Sequence, residues 1–201
     1  IDKNRANANS LLGKFLHGLD EKTDFELISV QGGQKDNAIT REATAEILVL
    51  EENTDAVREY AASVQGAWRE YAGTDEGITV TVEDEGKQEV RVLHPTSKEK
   101  VIFFLVNVPY GVQKMSGTIK GLVETSTNIG ILKTSENEVM GSSSIRSSVE
   151  TARDSLSDKI AYLTEFLGGE YERQGVYPAW EYRKDSPLRD KMVEVYEEMY
   201  G

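Results

Sequence analysis

Hydrophobic and polar positions follow two different periods along this chain, and the periods succeed one another in a doubled order. Spacing near 3.6 residues predicts helices that bury one face, and alternation with a period of two predicts strands. The pattern predicts helix–strand–strand–helix–strand, followed by strand–helix–strand–strand–helix–strand. The second half is a complete βαββαβ unit, and the first half is the same unit without its opening strand.

The predicted elements make an α+β fold. The helices of the two units cover about residues 3–19, 54–72, 96–107 and 148–167. The strands cover about residues 25–30, 43–50, 78–82, 90–93, 121–133, 139–146 and 170–176. Two ferredoxin-like βαββαβ units of this kind, the first lacking its opening strand, predict an antiparallel sheet of about eight strands with the helices on one face.

Local signals mark the starts of elements and the junction between the units. Thr96 with Glu99, and Ser147 with Glu150, have the spacing of a capping box at a helix start. The sequence Asp84-Glu85-Gly86-Lys87 has the chemistry of a hairpin turn, and it joins the two units.

A last predicted helix, reaching about Tyr200, has no place in the repeat. It opens with Ser186-Pro187, an N-cap residue followed by proline at the first helical position. We therefore expect one domain over residues 1–177, made of repeats at 1–84 and 88–177. Residues 178–201 then begin a neighbouring domain. Because the chain opens at Ile1, one strand into a repeat, we expect it to be part of a longer protein.

Composition excludes several classes of function. The net charge of −12 argues against nucleic-acid binding, which needs clustered lysine and arginine. No apolar run approaches the roughly 20 residues of a membrane span. The absence of cysteine excludes thiolate chemistry, and His17 and His94 are too few and scattered for a histidine-rich metal site. With no signal-peptide pattern, a cytoplasmic location is expected.

Two segments have residues suited to anion binding. The loop 31–43 contains Gly32-Gly33, which serves either as an ordinary turn or as a loop that holds a phosphate or carboxylate. Arg146 lies at the end of a strand, just before a helix N-terminus, within the run Ser142–Ser148. A planar guanidinium there suits a carboxylate, and the alternative is an ordinary surface arginine.

Other candidate residues favour structural roles. His94 at a strand end is typical of a structural histidine. Glu51-Glu52 and Glu83-Asp84-Glu85 are typical of solvated turns and not of a paired-carboxylate site. The aromatic residues of Tyr177-Pro178-Ala179-Trp180 suit a pocket wall or a domain junction equally well.

An ordered set of segments resembles the aminoacyl-histidine dipeptidases (Xaa-His dipeptidases) of the M20 zinc peptidase family. The matching segments are Arg5–Leu12, Gly32-Gly33 through Asn37-Ala38-Ile39, Arg41-Glu42-Ala43, Gly121–Ser126 with Asn128, Ile145-Arg146-Ser147, Tyr177–Trp180 and Asp185-Ser186-Pro187. They follow the family's order over almost the whole chain, although the stretch from about 53 to 116 matches mainly in length and pattern.

The resemblance implies the lid domain of a dizinc dipeptidase. The catalytic domain of such an enzyme, in the same polypeptide, would hold zinc and a general-base glutamate. This chain is therefore expected to lack catalytic and metal-binding residues and to be inactive alone. Arg146 matches the lid arginine that binds the substrate carboxylate in related enzymes. Asn128 is a further substrate contact by the same resemblance, and Asn37 occupies the corresponding loop of the first unit.

The resemblance also implies partners for the chain, and one alternative function remains. The expected partners are the catalytic domain and a dipeptide with C-terminal histidine, with a homodimer allowed. The alternative is a free-standing module that binds amino acids for regulation, because paired βαββαβ units also form such sensor domains.

Overall fold

The computed structural model describes residues 1, 3, 5–68, 75, 77–179 and 182–201. Over these residues the helices are α1 Ala8–Asp20, α2 Thr54–Trp68, α3 Pro95–Asn107, α4 Glu150–Phe166 and α5 Pro187–Tyr200. The strands are β1 Glu26–Gly32, β2 Ala43–Leu48, β3 Gly111–Met115, β4 Val123–Thr134 and β5 Val139–Ser147. The predicted α+β class, with an antiparallel sheet and packed helices, is confirmed.

The sheet is organised around the long strand β4. Its strand order is β2-β1-β4-β3, and β5 also pairs with β4. Because β5 accompanies β4 from Thr125 to Thr134, β1 and β3 share the other edge of β4. β3 lies beside the N-terminal half, and β1 reaches only the C-terminal end, through Gln31 and Gly32.

One hydrophobic core joins both halves of the chain. Helices α1 and α3 pack against each other and against the sheet. The buried cluster contains Leu16, Leu19, Phe25, Leu27, Val30 and Val57 from the first half, and Ile102, Leu105, Val108, Ile129 and Leu132 from the second. The apolar stripe predicted for the first helix is therefore the surface that buries this core.

Three predicted strands do not form, and one strand is present that the pattern did not predict. Residues 78–82, 90–93 and 170–176 belong to no strand. Leu93 N donates one hydrogen bond to Leu27 O at 2.7 Å, but no ladder continues from it. β3 instead pairs with β4, within residues 108–120, for which the pattern predicted no helix or strand. The sheet of the described residues thus has five strands and not eight.

The helix starts also correct the sequence prediction. The capping box at Thr96 is wrong, because the side chain of His94 accepts from Thr96 N and Pro95 follows it as the first helical residue. Ser147 does not cap α4 either, since its hydroxyl contacts Thr125 Oγ1 and accepts from Val149 N. The Ser186 cap of α5 is confirmed. The predicted end of the second helix, residues 69–72, lies outside the described residues.

Candidate functional site

Polar side chains fill the middle of β4, where a sheet core is usually apolar. Thr125, Ser126, Thr127 and Asn128 are all buried. Buried polar groups are costly unless they are hydrogen-bonded, so their partners show what this part of the sheet is built to hold.

Asn7 connects the start of α1 to this strand. Its Oδ1 accepts from the backbone amides of Asn9 and Ser10 and caps the helix. Its Nδ2 donates to Asn128 Oδ1 at 3.0 Å and to Ile129 O at 2.9 Å. One side chain therefore fixes both the helix end and its position over β4.

Asn128 holds the loop between β1 and β2. Its Nδ2 donates to Ala38 O at 2.7 Å and to Asp36 O at 3.1 Å. Both amide protons are thereby used within the chain, and only Oδ1, which already accepts from Asn7, keeps a free lone pair. The loop at residues 33–40 is anchored on the sheet by this amide.

Thr40 and two glycines complete the anchor. Thr40 Oγ1 lies 3.0 Å from Gly130 O and accepts from Asn9 Nδ2 at 3.2 Å. Gly33 has φ +74°, and a Cβ there would overlap Gly130 O. A Cβ on Gly130 would in turn overlap the backbone oxygen of Asp36. The close approach of loop and strand therefore requires glycine on both sides.

Arg146 lines a groove of about 430 Å³ between the ends of β4 and β5, the start of α4 and the segment 171–179. It is exposed, and its guanidinium forms no hydrogen bond or ion pair with any residue that the structure describes. A guanidinium without a partner at the wall of a groove is available to a carboxylate ligand.

Two other arginines of the groove are already paired. Arg153 donates to Asp154 and Glu150 and, through Nη1, to Tyr177 O at 2.6 Å. Hydrogen bonds from Arg173, and then from Arg153, hold the pKa of the Asp154 carboxyl below its ordinary value. These arginines connect α4 to the segment 171–177. Of the three arginines that line the groove, Arg146 is the one without a partner among the described residues.

The two predicted site residues lie on the same face of the sheet. Arg146 is opposite Ser126 in the β4–β5 ladder, and Asn128 is opposite Ser144. Residues two apart on a strand share a face, so Ser126 and Asn128 both lie on the face of Arg146. Asn37, in contrast, lies in the exposed part of the anchored loop.

The remaining candidates have ordinary structural surroundings. His94 is the N-cap of α3, which is a structural role of the kind expected from its place at a strand end. Glu51 forms an exposed ion pair with Lys87, and Asp84 one with Arg58. Tyr177 lines the groove beside Ala179, while Trp180 lies outside the described residues.

The anchor built by Asn7, Asn9 and Thr40 was not predicted from the sequence. These polar side chains and their partners come from a helix, a loop and a strand, so no periodic pattern in the sequence connects them. They are brought together only by the tertiary fold. The one available signal was the pair of asparagines just before the apolar stripe of α1, which is typical of an N-cap.

The described residues offer no site for a metal ion. No group of three or more histidine, cysteine, aspartate or glutamate side chains in that part of the chain is placed to hold one. Nor does any described helix have the length and apolar character needed to cross a bilayer.

Comparison with known proteins places this architecture. Residues 2–76 match the M20 family model described as a peptidase dimerisation domain. The chain is 31% identical, over 97% of its length, to the cytosol non-specific dipeptidase of Escherichia coli (strain K12). It superposes on the aminoacylhistidine dipeptidase of Vibrio alginolyticus with a TM-score of 0.84 over 98% of its length, at 31% identity. The chain spans 40% of the length of each of these relatives.

In sequence and in fold the chain is therefore similar to M20 peptidases, and its residues 2–76 match the dimerisation domain of that family. The two relatives found are both dipeptidases. The resemblance stated from the sequence is thereby confirmed.

Proposed function

We propose that this chain is the dimerisation and lid domain of a dizinc M20 dipeptidase in the cytoplasm, and that Arg146 binds the terminal carboxylate of the dipeptide. The observation that carries the proposal is the unpaired guanidinium of Arg146 at the groove wall. The likeness to two dipeptidases supplies the class of substrate.

The proposed division of labour follows from the side chains present. No metal-binding group of side chains is found among the described residues, and the proposal assigns zinc and the hydrolytic step to a catalytic domain of the same polypeptide. This chain contributes the carboxylate contact and covers the substrate, which excludes water from the reacting groups. Alone, it should hydrolyse nothing.

Asn128 acts in the proposal mainly by positioning. Its two donors hold the backbone of Asp36 and Ala38 next to the face that carries Arg146. A direct contact with substrate would have to use Oδ1, but Asn128 is buried and lies outside the groove lining, so the proposal assigns it the positioning role.

A second copy of the chain is the proposed partner in a homodimer. The family description names dimerisation for residues 2–76, and β2 pairs only with β1 among the described strands. An unpaired strand edge presents backbone donors and acceptors to a neighbour. Sedimentation equilibrium of the complete enzyme tests this, and a monomer at micromolar concentration would contradict it.

The decisive experiment is Arg146→Ala in the complete dipeptidase. We expect kcat/KM for a dipeptide to fall by an amount equivalent to about 2–4 kcal/mol, because the pair between the guanidinium and the substrate carboxylate, which the closed lid would bury, is lost. A dipeptide amide, which lacks the carboxylate, should be hydrolysed equally by both enzymes. Arg91→Ala is the matched control, because Arg91 is also exposed but lies outside the groove. An unchanged kcat/KM in Arg146→Ala removes Arg146 from the mechanism.

A further inference from the structure

The groove that contains Arg146 also holds a largely buried carboxylate that the proposed function leaves unused. Glu124, on β4, has a side chain only 11% exposed. Its Oε1 is buried and lies 2.8 Å from Lys114 Nζ, but it has no hydrogen-bond partner among the described residues. The contact with Lys114 is therefore an ion pair with poor hydrogen-bond geometry.

Glu124 lies on the same face of the sheet as Arg146. Ser126 is directly opposite Arg146 in the ladder, and Glu124 is two residues before Ser126 on the same strand. A diagonal pair of this kind has its Cα atoms roughly 7–8 Å apart. Glu124, Ser126 and Arg146 all line the same groove, so one ligand in it can contact both charged groups.

Charge balance allows an anionic ligand beside this carboxylate. Lys114 neutralises Glu124, so a carboxylate bound to Arg146 does not face an uncompensated negative charge. The hydrogen-bonding capacity of Glu124 is still unmet, because its Oε2 makes no hydrogen bond to a described residue and Oε1 makes only the ion pair.

We infer that Glu124 determines specificity for a C-terminal histidine by accepting a hydrogen bond from its imidazole while Arg146 binds its carboxylate. This rests on the proposed function. Imidazole carries an N–H donor in both its neutral and its protonated form, whereas leucine and alanine side chains carry none. An apolar side chain would leave the desolvated carboxylate without a donor, and sites built around a hydrogen bond reject such analogues strongly.

The test measures kcat/KM of the complete dipeptidase for Ala-His and Ala-Leu. Glu124→Met keeps the shape of the side chain and removes the acceptor. We expect its kcat/KM for Ala-His to fall about ten- to a hundredfold, as for the loss of a hydrogen bond to a charged group. The value for Ala-Leu should not fall and is expected to rise, because the substitution removes the carboxylate that an apolar side chain leaves without a donor. Glu124→Gln retains one acceptor oxygen and should fall between Glu124→Met and the unmodified enzyme for Ala-His.

Two comparisons separate the possible failures. Glu136→Gln, in the exposed turn before β5, should leave both substrates unaffected. Arg146→Ala should lower kcat/KM for Ala-His and for Ala-Leu by the same factor. Suppose that Arg146→Ala lowers kcat/KM for both dipeptides, whereas Glu124→Gln folds but lowers the two values equally or lowers neither. The specificity inference is then wrong and the proposed function stands. If Arg146→Ala changes neither substrate, the proposed function itself fails.

Inhibition by free amino acids gives an independent readout. L-histidine should inhibit the unmodified enzyme more strongly than L-leucine, and Glu124→Gln should reduce that preference. Equal inhibition by the two amino acids in the unmodified enzyme would overturn the inference without any variant having to fold.

Discussion

Asn7 and Asn128 are 121 positions apart in the chain, yet their side-chain amides are joined by a hydrogen bond of 3.0 Å. The bond links the cap of α1 to the middle of β4. Since Asn128 also holds Asp36 and Ala38, the same pair fixes a helix end, a central strand and a loop.

Replacing Asn7 by alanine should destabilise the protein by about 2–4 kcal/mol. The change removes a helix cap and leaves the buried Asn128 Oδ1 without a donor, while Ile129 O keeps Asn9 Nδ2 as a donor. Urea denaturation followed by circular dichroism measures the free energy of unfolding. Asn37→Ala, in the exposed part of the anchored loop, should change it by less than about 0.5 kcal/mol. Equal effects of the two substitutions would contradict a structural role for Asn7.

Alanine substitutions at two glycines with nearly the same backbone conformation distinguish the cost of backbone strain from the cost of steric overlap. Gly33 has φ +74° and Gly86 has φ +76°, but only at Gly33 would a Cβ meet another part of the chain. Gly86→Ala should cost about 1–2 kcal/mol for the left-handed conformation alone. Gly33→Ala should cost about 1–3 kcal/mol more, because its Cβ is forced against Gly130 O. Chemical denaturation of the two variants side by side tests this, and equal costs would refute the close approach.

His94→Ala should cost about 1 kcal/mol in the free energy of unfolding. The imidazole Nδ1 accepts from Thr96 N at 3.3 Å and caps α3. His94→Asn should restore most of the loss, because asparagine is a good N-cap residue. His17→Ala, on the exposed side of α1, is the control and should be nearly neutral. A neutral His94→Ala would show that the cap contributes nothing.

Alkaline pH should weaken the fold through Tyr110. Burial, and secondarily the carboxylate of Asp75, raise the pKa of its phenol from 10.0 to about 12. Its hydroxyl donates to Arg5 O, so the protonated form is the one that the fold holds. The stability from this shift is fully present below pH 10. It is lost as the pH rises towards 12, because the unfolded chain ionises first.

Tyr110→Phe provides the test of that pH dependence. We expect the variant to lose less stability than the unmodified protein between about pH 10 and pH 12. Tyr177→Phe, which removes an exposed phenol, should leave the pH dependence unchanged. Ultraviolet absorbance at rising pH should also show late ionisation of Tyr110, as a component of the titration that is absent from Tyr110→Phe.

Short-range pattern predicted the parts of the fold that depend on short-range interactions. The stripe of α1, the β4–β5 hairpin and the Ser186 cap are all present, with strand ends within about two residues of those predicted. The strands at 78–82 and 90–93 were wrong because alternation shows which side chains can face a core. It does not show which partner completes the ladder.

The candidate site divides in the same way. Arg146 could be singled out because its chemistry is carried by one residue at a strand end, and the structure leaves it unpaired in a groove. The roles of Asn7 and Thr40 could not, since each depends on residues more than 80 positions away. Asn128 was selected as a substrate contact, and its two donors proved to be occupied by the chain itself.

The core cluster has a consequence for how this chain can be divided. Leu16, Leu19 and Leu27 come from the first half and Ile102, Leu105 and Ile129 from the second, and they share one interior. Severing the chain at the exposed Asp84–Lys87 turn would leave each piece with an apolar surface and nothing to cover it. Two such fragments should be poorly folded when separate and should regain structure when mixed, because the two halves of the chain are complementary parts of one core.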